Sequence, residues 1–178
     1  QNTDVLCFVR DNRSSGYTSY IVKNMIAIDL TEAFGAGNEP TKEHMEALLN
    51  ANFPHSDGWF DGSAMAYDTE SIGAAESVTT KDILIHKYPK ATVTNIIKNT
   101  TFVNSTEWDI TGGSTLTVSN GVATMAYTAA SNSLYQFVSL KAGHTYYAAI
   151  QAKAVNGKYS LYLTNFATDT NLGGGIFY

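Results

Sequence analysis

The chain has 178 residues, 44% of them hydrophobic, which is enough apolar material for a packed core and excludes a disordered tail. A formal charge of −5 and a pI near 5.2, with no run of Lys or Arg, exclude the basic footprint of a nucleic-acid-binding domain. The single cysteine, Cys7, excludes an intrachain disulfide and a multi-cysteine zinc site, and no apolar stretch is long enough for a helix to span a bilayer.

Val5–Val9 is an apolar run that predicts a strand, with Cys7 as a buried, inert thiol. Turn chemistry follows at Asn12–Gly16. Tyr20–Ile28 predicts a second strand, in which Val22, Ile26 and Ile28 share one parity. It gives way to Phe34-Gly35-Ala36-Gly37-Asn38-Glu39-Pro40. Two glycines two apart permit backbone angles closed to other residues, so Gly35 or Gly37 is expected at positive φ. Pro40 fixes its own φ and pushes Glu39 toward an extended conformation. Thr41 is then the N-cap of a helix over Lys42–Asn52, the only substantial helix predicted, with Met45, Leu48, Leu49 and Phe53 on one face. Gly35, Gly37, Asn38 and Pro40 therefore read as a structural turn. A phosphate loop would need Gly-Lys-Ser/Thr after the glycines, and a dinucleotide fingerprint would need glycine at Pro40, so both readings fail at a required position.

Asp57-Gly58 and Asp61-Gly62 mark further turns. Residues 63–80 are rich in Ala, Ser, Thr and Gly and read as a linker or crossing segment, and Ile83-Leu84-Ile85 as a short strand. From about residue 91 the segments are short, β-rich and punctuated by turns. Ser114–Val118 and Val122–Tyr127 flank Asn120-Gly121, a strong two-residue hairpin signal, and Asn156-Gly157 is a second one between His144–Val155 and Lys158–Phe166. Leu134–Leu140 is a further strand. Strands at this spacing predict a mainly β fold of antiparallel β-sandwich modules, the sandwich favoured over a barrel, with one short α-helix at residues 42–52. The composition divides the chain into residues 1–62, a linker at 63–90 and a second module at 91–178.

Strand parity assigns faces. Tyr146, Ala148, Ile150 and Ala152 share a core face, as do Gln136, Val138 and Leu140. The opposite faces collect Tyr135, Tyr147, Gln151, Lys153 and Tyr162. Ring faces stack on the C–H patches of a pyranose while amide and ammonium groups hold its hydroxyls, so these five are the candidate glycan-binding residues. The competing reading is that tyrosine is simply a good strand residue.

The four histidines show no metal-ligand spacing. Asp57 with Asp61, and Glu107 with Asp109, could nominally act as hydrolytic carboxylate pairs, but their contexts favour turns. No metal, no cofactor and no catalytic residue is expected. Sequons occur at Asn12, Asn99 and Asn104 and would matter only in a protein secreted by a eukaryote.

The segment "IDLTEAFGAGNEPTKEHMEALL", residues 28–49, resembles the "LT-x-x-FGAGNEP-T" segment of bacteriophage tail, tail-fibre and baseplate-associated proteins, mostly from phages of Gram-positive hosts. The likeness covers roughly residues 20–62. His44 stands where such segments often carry an acidic residue, which would complete a capping box with Thr41. "NIIKNTTF…W", "LYQFVSLKAGHTYYAAIQAKA" and "KYSLYLTNF", within residues 95–166, look like the opening of a jelly-roll carbohydrate-binding module. That pattern implies a core role for Trp108, while Trp59 is open between an exposed platform and a lid over the helix. It also implies a structural Ca²⁺ held by an acidic residue just after the "N-G-x-F" match. Val103 occupies that position, so the site is not supported, and Asn99, Glu107 and Asp109 read as turn and surface residues. These family resemblances, rather than composition, imply that both modules are incomplete, as in a window cut from a longer protein of repeated modules. Together the resemblances imply a non-enzymatic virion tail or tail-fibre segment, extracellular, structural and binding host-surface polysaccharide. They imply a homotrimer that contacts other tail or baseplate subunits, with no nucleic acid and no membrane insertion. The alternative is the carbohydrate-binding region of a secreted bacterial glycoside hydrolase or adhesin.

Overall fold

A computed structural model describes residues 4–11, 19–66, 91–111, 113–127, 132–154, 159–165 and 170–177. The two apolar N-terminal runs form β1 (Asp4–Asp11) and β2 (Ser19–Asp29). Two helices follow, α1 (Leu30–Phe34) and α2 (Lys42–Asn52), then a short 3₁₀ turn at Pro54–Ser56. The remaining elements are strands: β3 (Ser63–Ala66), β4 (Ala91–Thr94), β5 (Asp109–Ile110), β6 (Thr115–Ser119), β7 (Val122–Ala126), β8 (Asn132–Val138), β9 (Tyr146–Ala154), β10 (Tyr159–Asn165) and β11 (Thr170–Phe177).

They make a five-stranded sheet of order β11-β10-β1-β8-β5, a four-stranded sheet of order β6-β7-β2-β9, and the β3-β4 pair. The registers are antiparallel. Successive strands switch between the larger sheets: β1 and β8 lie in one, β2 and β9 in the other. Such switching is how jelly-roll sandwiches are wound, so the fold is mainly β and sandwich-like.

The chain groups into two compact units that are not consecutive in sequence. One holds Gln1–Met25, Ile97–Ala142 and Ile150–Tyr178; the other holds Ile26–Ile96 and Gly143–Ala149. This differs from a division at residues 62 and 91. β1 pairs with β8 on one side and β10 on the other, joining residues that composition assigns to separate modules. Residues 63–66, read as linker, are strand β3, with Ser63 opposite Thr94 and Ala66 opposite Ala91. The strand expected at 83–85 lies outside the described residues, as do the turn at 12–16 and Asn156-Gly157.

The first unit buries Tyr20 and Val22 of β2, Ala123 and Met125 of β7, and Leu134 and Val138 of β8. The β6–β7 hairpin forms as expected. Asn120 and Gly121 have φ of 51° and 74°, the double positive value a type I′ turn requires. Trp108 is a core residue, stacked on Phe102 with centroids 5.3 Å apart, its indole N–H donating to the Asn99 carbonyl at 3.1 Å. Buried Gln136 accepts from the Lys98 N–H at 2.8 Å and donates to the Lys98 and Glu107 carbonyls at 3.0 Å. A buried amide so satisfied anchors the 98–107 loop to β8.

In β2, Asn24 sits at φ 52° and interrupts the alternation. Val22, Ile26 and Ile28 are buried as expected, but Met25 and Ala27 are buried as well. The second unit packs Ile26, Ile28 and Leu30 against Met45, Leu48 and Leu49 of α2, with Phe60, Ala66, Ala91 and Val93. Each large side chain so buried contributes roughly 1.5–3 kcal/mol. Thr41 caps α2 as its spacing requires, its Oγ1 accepting the His44 N–H at 3.2 Å.

One strand pairing differs from the sequence expectation. β9 and β10 do not form a hairpin: β9 belongs to the four-stranded sheet, while β10 pairs with β1 and β11. A local Asn-Gly signal says where a chain reverses, not which strands it joins; here the long-range pairing of β10 with β1 prevails.

Candidate functional site

Two groups of residues bear on function: the glycine turn of the second unit and the aromatic strand positions. The turn begins at Asp29, whose carboxylate caps α1 by accepting the Glu32 N–H at 3.0 Å. The same carboxylate meets His144 Nδ1 at 2.9 Å from both oxygens. Leu30 N–H donates to the Thr145 carbonyl at 2.8 Å. Thr31 Oγ1 accepts the Thr145 N–H at 2.9 Å and donates to Glu39 Oε1 at 2.6 Å. The other Glu39 oxygen accepts the Gly37 N–H at 2.8 Å. Gly35 closes α1 by donating to the Thr31 carbonyl at 2.9 Å, and Asn38 N–H donates to the Gly35 carbonyl at 3.0 Å. Both glycines hold positive φ, 89° and 80°. Pro40 is buried.

The Asp29, Thr31 and Glu39 side chains thus hydrogen-bond within the protein itself. Thr31 and Glu39 lock the loop shut, and Asp29 with Leu30 and Thr31 clasps the 143–146 segment. Burial pushes the Asp29 carboxyl up, but hydrogen bonds from Glu32 N–H, His144 and Tyr146, with the His144 charge, outweigh it and hold the group below its ordinary value. The Thr31 hydroxyl is the main cause that lowers Glu39. The Asp29–His144 pair spans 115 positions and carries no local sequence signal.

The five candidate glycan residues do not come together as one platform. Tyr147 packs against the second unit's core, and burial, with the Glu46 carboxylate, pushes its phenol up to about 12. Gln151 accepts a hydrogen bond from Asn24 Nδ2 at 3.0 Å, and Lys153 is exposed; both lie on β9 in the four-stranded sheet. Tyr135 and Tyr162 lie in the five-stranded sheet instead. Both pair in register with Cys7 of β1, so they flank it in one row, with Asp109 next to Tyr135. The stacking role expected of the Tyr162 ring falls outside the described side chains. Tyr135 meets Phe137 edge to face, centroids 5.4 Å apart at 86°. Phe137 is 41% exposed, high for a ring of its size, and parity with Tyr135 is the signal that identifies it.

The carboxylates and asparagines singled out in the sequence have structural surroundings. Asn99 Nδ2 donates to the Asn104 and Thr106 carbonyls at 2.9 and 2.8 Å, and its Oδ1 accepts the Val103 N–H at 3.2 Å. Glu107 pairs with Lys98 at 3.8 Å. Val103 is 80% exposed. Trp59 is half-buried against the second unit's core. Among the described residues no group of three or more His, Cys, Asp or Glu side chains is arranged to hold a metal ion, and no helix is long and apolar enough to cross a membrane. His86 lies outside the described residues. Comparison with protein-family models, curated proteins and solved structures finds no match for this chain.

Proposed function

We propose that this chain is a non-enzymatic segment of a bacteriophage tail or tail-fibre protein, a structural β-module that also holds host cell-surface polysaccharide. The observation that carries the reading is the closed turn at 29–41. Its Thr31, Glu39 and Asp29 side chains are committed to internal partners, so the signature residues build a junction and leave chemistry to other surfaces. The mainly-β fold and the half-exposed Tyr135–Phe137 pair support polysaccharide as the ligand, since edge-on and face-on rings suit pyranose stacking. The assembly we infer is a homotrimer in contact with other tail or baseplate subunits, outside the cell and on the virion.

Replacing Gly35 with Val tests the structural half of this reading. The variant is expected to melt at lower temperature while the folded fraction keeps its affinity for host cell-wall polysaccharide. A folded variant that loses that affinity would make the turn a binding site. Tail and baseplate genes are the expected neighbours of the coding sequence; a neighbouring glycoside hydrolase gene would favour the appendage of a secreted enzyme.

A further inference from the structure

We propose that β6 is a self-association edge: two copies of the chain pair through it, antiparallel, about a twofold axis at Thr117. This inference stands independently of the polysaccharide reading. Among the described residues β6 has one strand neighbour, β7, and ends the four-stranded sheet. The Asn120-Gly121 turn fixes which backbone groups face outward. Ser119 and Val122 close a two-residue type I′ turn and so form a hydrogen-bonded pair. By the antiparallel alternation Thr117 and Thr115 also bond to β7, while Leu116 and Val118 turn their N–H and C=O groups to the outer edge.

Edge strands are normally guarded by lysine, proline or a bulge. β6 reads Thr-Leu-Thr-Val-Ser, with no charge and no proline, and its register with β7 is unbroken over all five residues. The lack of charge extends well beyond the strand. From Ile110 to Leu140 the sequence holds no Asp, Glu, Lys, Arg or His, in a chain of net charge −5. The net charge of the chain opposes association in general, and this stretch adds no charge of its own to that repulsion.

A second copy fits the edge because the edge is self-complementary. With the axis at Thr117, Leu116 of each copy faces Val118 of the other, and about four backbone hydrogen bonds form. The two Thr117 residues then stand as a non-hydrogen-bonded pair with Cα atoms about 4.5 Å apart. Threonine pairs across strands are favourable. The half-buried Leu116 and Val118 gain an apolar neighbour, and the exposed Thr115, Thr117 and Ser119 stay on the polar face. One such edge is smaller than the roughly 1,200 Å² of a stable interface, so the pairing is weak in dilute solution; a twofold contact cannot lie within a threefold trimer, so it joins copies from different trimers and strengthens where trimers are displayed together.

A disulfide trap tests this on the full chain. Cα atoms about 4.5 Å apart lie within disulfide range, whereas two copies of position 115 would stand about 13 Å apart, beyond it. Under mild oxidation Thr117→Cys is expected to give a dimer linked through position 117, identified by peptide mapping. Wild type, with Cys7 alone, and Thr115→Cys are expected to stay unlinked. A mixture of Thr115→Cys with Ser119→Cys is expected to link across the two positions. No dimer from a folded Thr117→Cys, or linkage at position 115 as fast as at 117, overturns the proposal.

Discussion

Thr31 joins three parts of the chain with one hydroxyl: it accepts from Thr145, donates to Glu39, and lies in the helix turn that Gly35 closes. Thr31→Val keeps the shape and removes both bonds, leaving the Thr145 N–H without that acceptor. The expected loss is about 1–3 kcal/mol, or roughly 2–10 °C in Tm for a chain of this size, read by thermal unfolding. Asp29 makes the same junction sensitive to acid. Its folded pKa is depressed, so its contribution is present above the unfolded value, near 3.9, and is lost as pH falls through the folded one. Wild type is therefore expected to lose stability below about pH 4 more steeply than Asp29→Asn, as followed by urea midpoints across pH. Tyr147 acts at the other end of the scale. Its raised pKa stabilises the fold below about pH 10, and that contribution is lost as pH rises toward about 12. Tyr147→Phe is expected to flatten the alkaline limb; an unchanged limb would mean another group governs it.

At the scale of elements, α2 and the β6–β7 hairpin were legible because their signals are local. Thr41, the spacing of Met45, Leu48 and Leu49, and the Asn120-Gly121 dipeptide each act within a few residues, and the structure realises each of them. Leu48→Ala is expected to cost about 2–5 kcal/mol by cavity formation in the second unit; a loss under about 1 kcal/mol would mean the α2 contact is looser than its burial indicates. Less legible were α1, β3 and β11. Helix α1 is five residues long and exists because Asp29 caps it and the clasp to Thr145 holds it. β3 takes its partner from residues 91–94, across a stretch whose composition reads as linker. β11 carries three consecutive glycines, a poor strand composition, and is held by its register with β10. For α1 and β3 a partner distant in sequence supplies what local propensity lacks, and for β11 the strand just before it does.

At the scale of the whole molecule, the interleaving of the two units is what no window of the sequence displays. β2 and β9 each contribute residues to both units, and the junction of the second unit draws on residues 26–41 and 143–149 together. One of the five candidate glycan residues shows the same effect: parity placed Tyr147 outward, whereas it is half-buried against the second unit's core. What remains legible of the candidate site is Tyr135, and beside it Phe137. The central claim, a polysaccharide-binding structural module, is tested most directly by titrating cell-wall polysaccharides of Gram-positive bacteria into the full chain and its Tyr135→Ala variant by calorimetry. We expect wild type to bind one of them, and Tyr135→Ala to weaken that binding by about tenfold, the 1–1.5 kcal/mol scale of a lost ring contact, with Tm preserved. A folded wild type that binds no such polysaccharide, or a variant that binds as well as wild type, would contradict it.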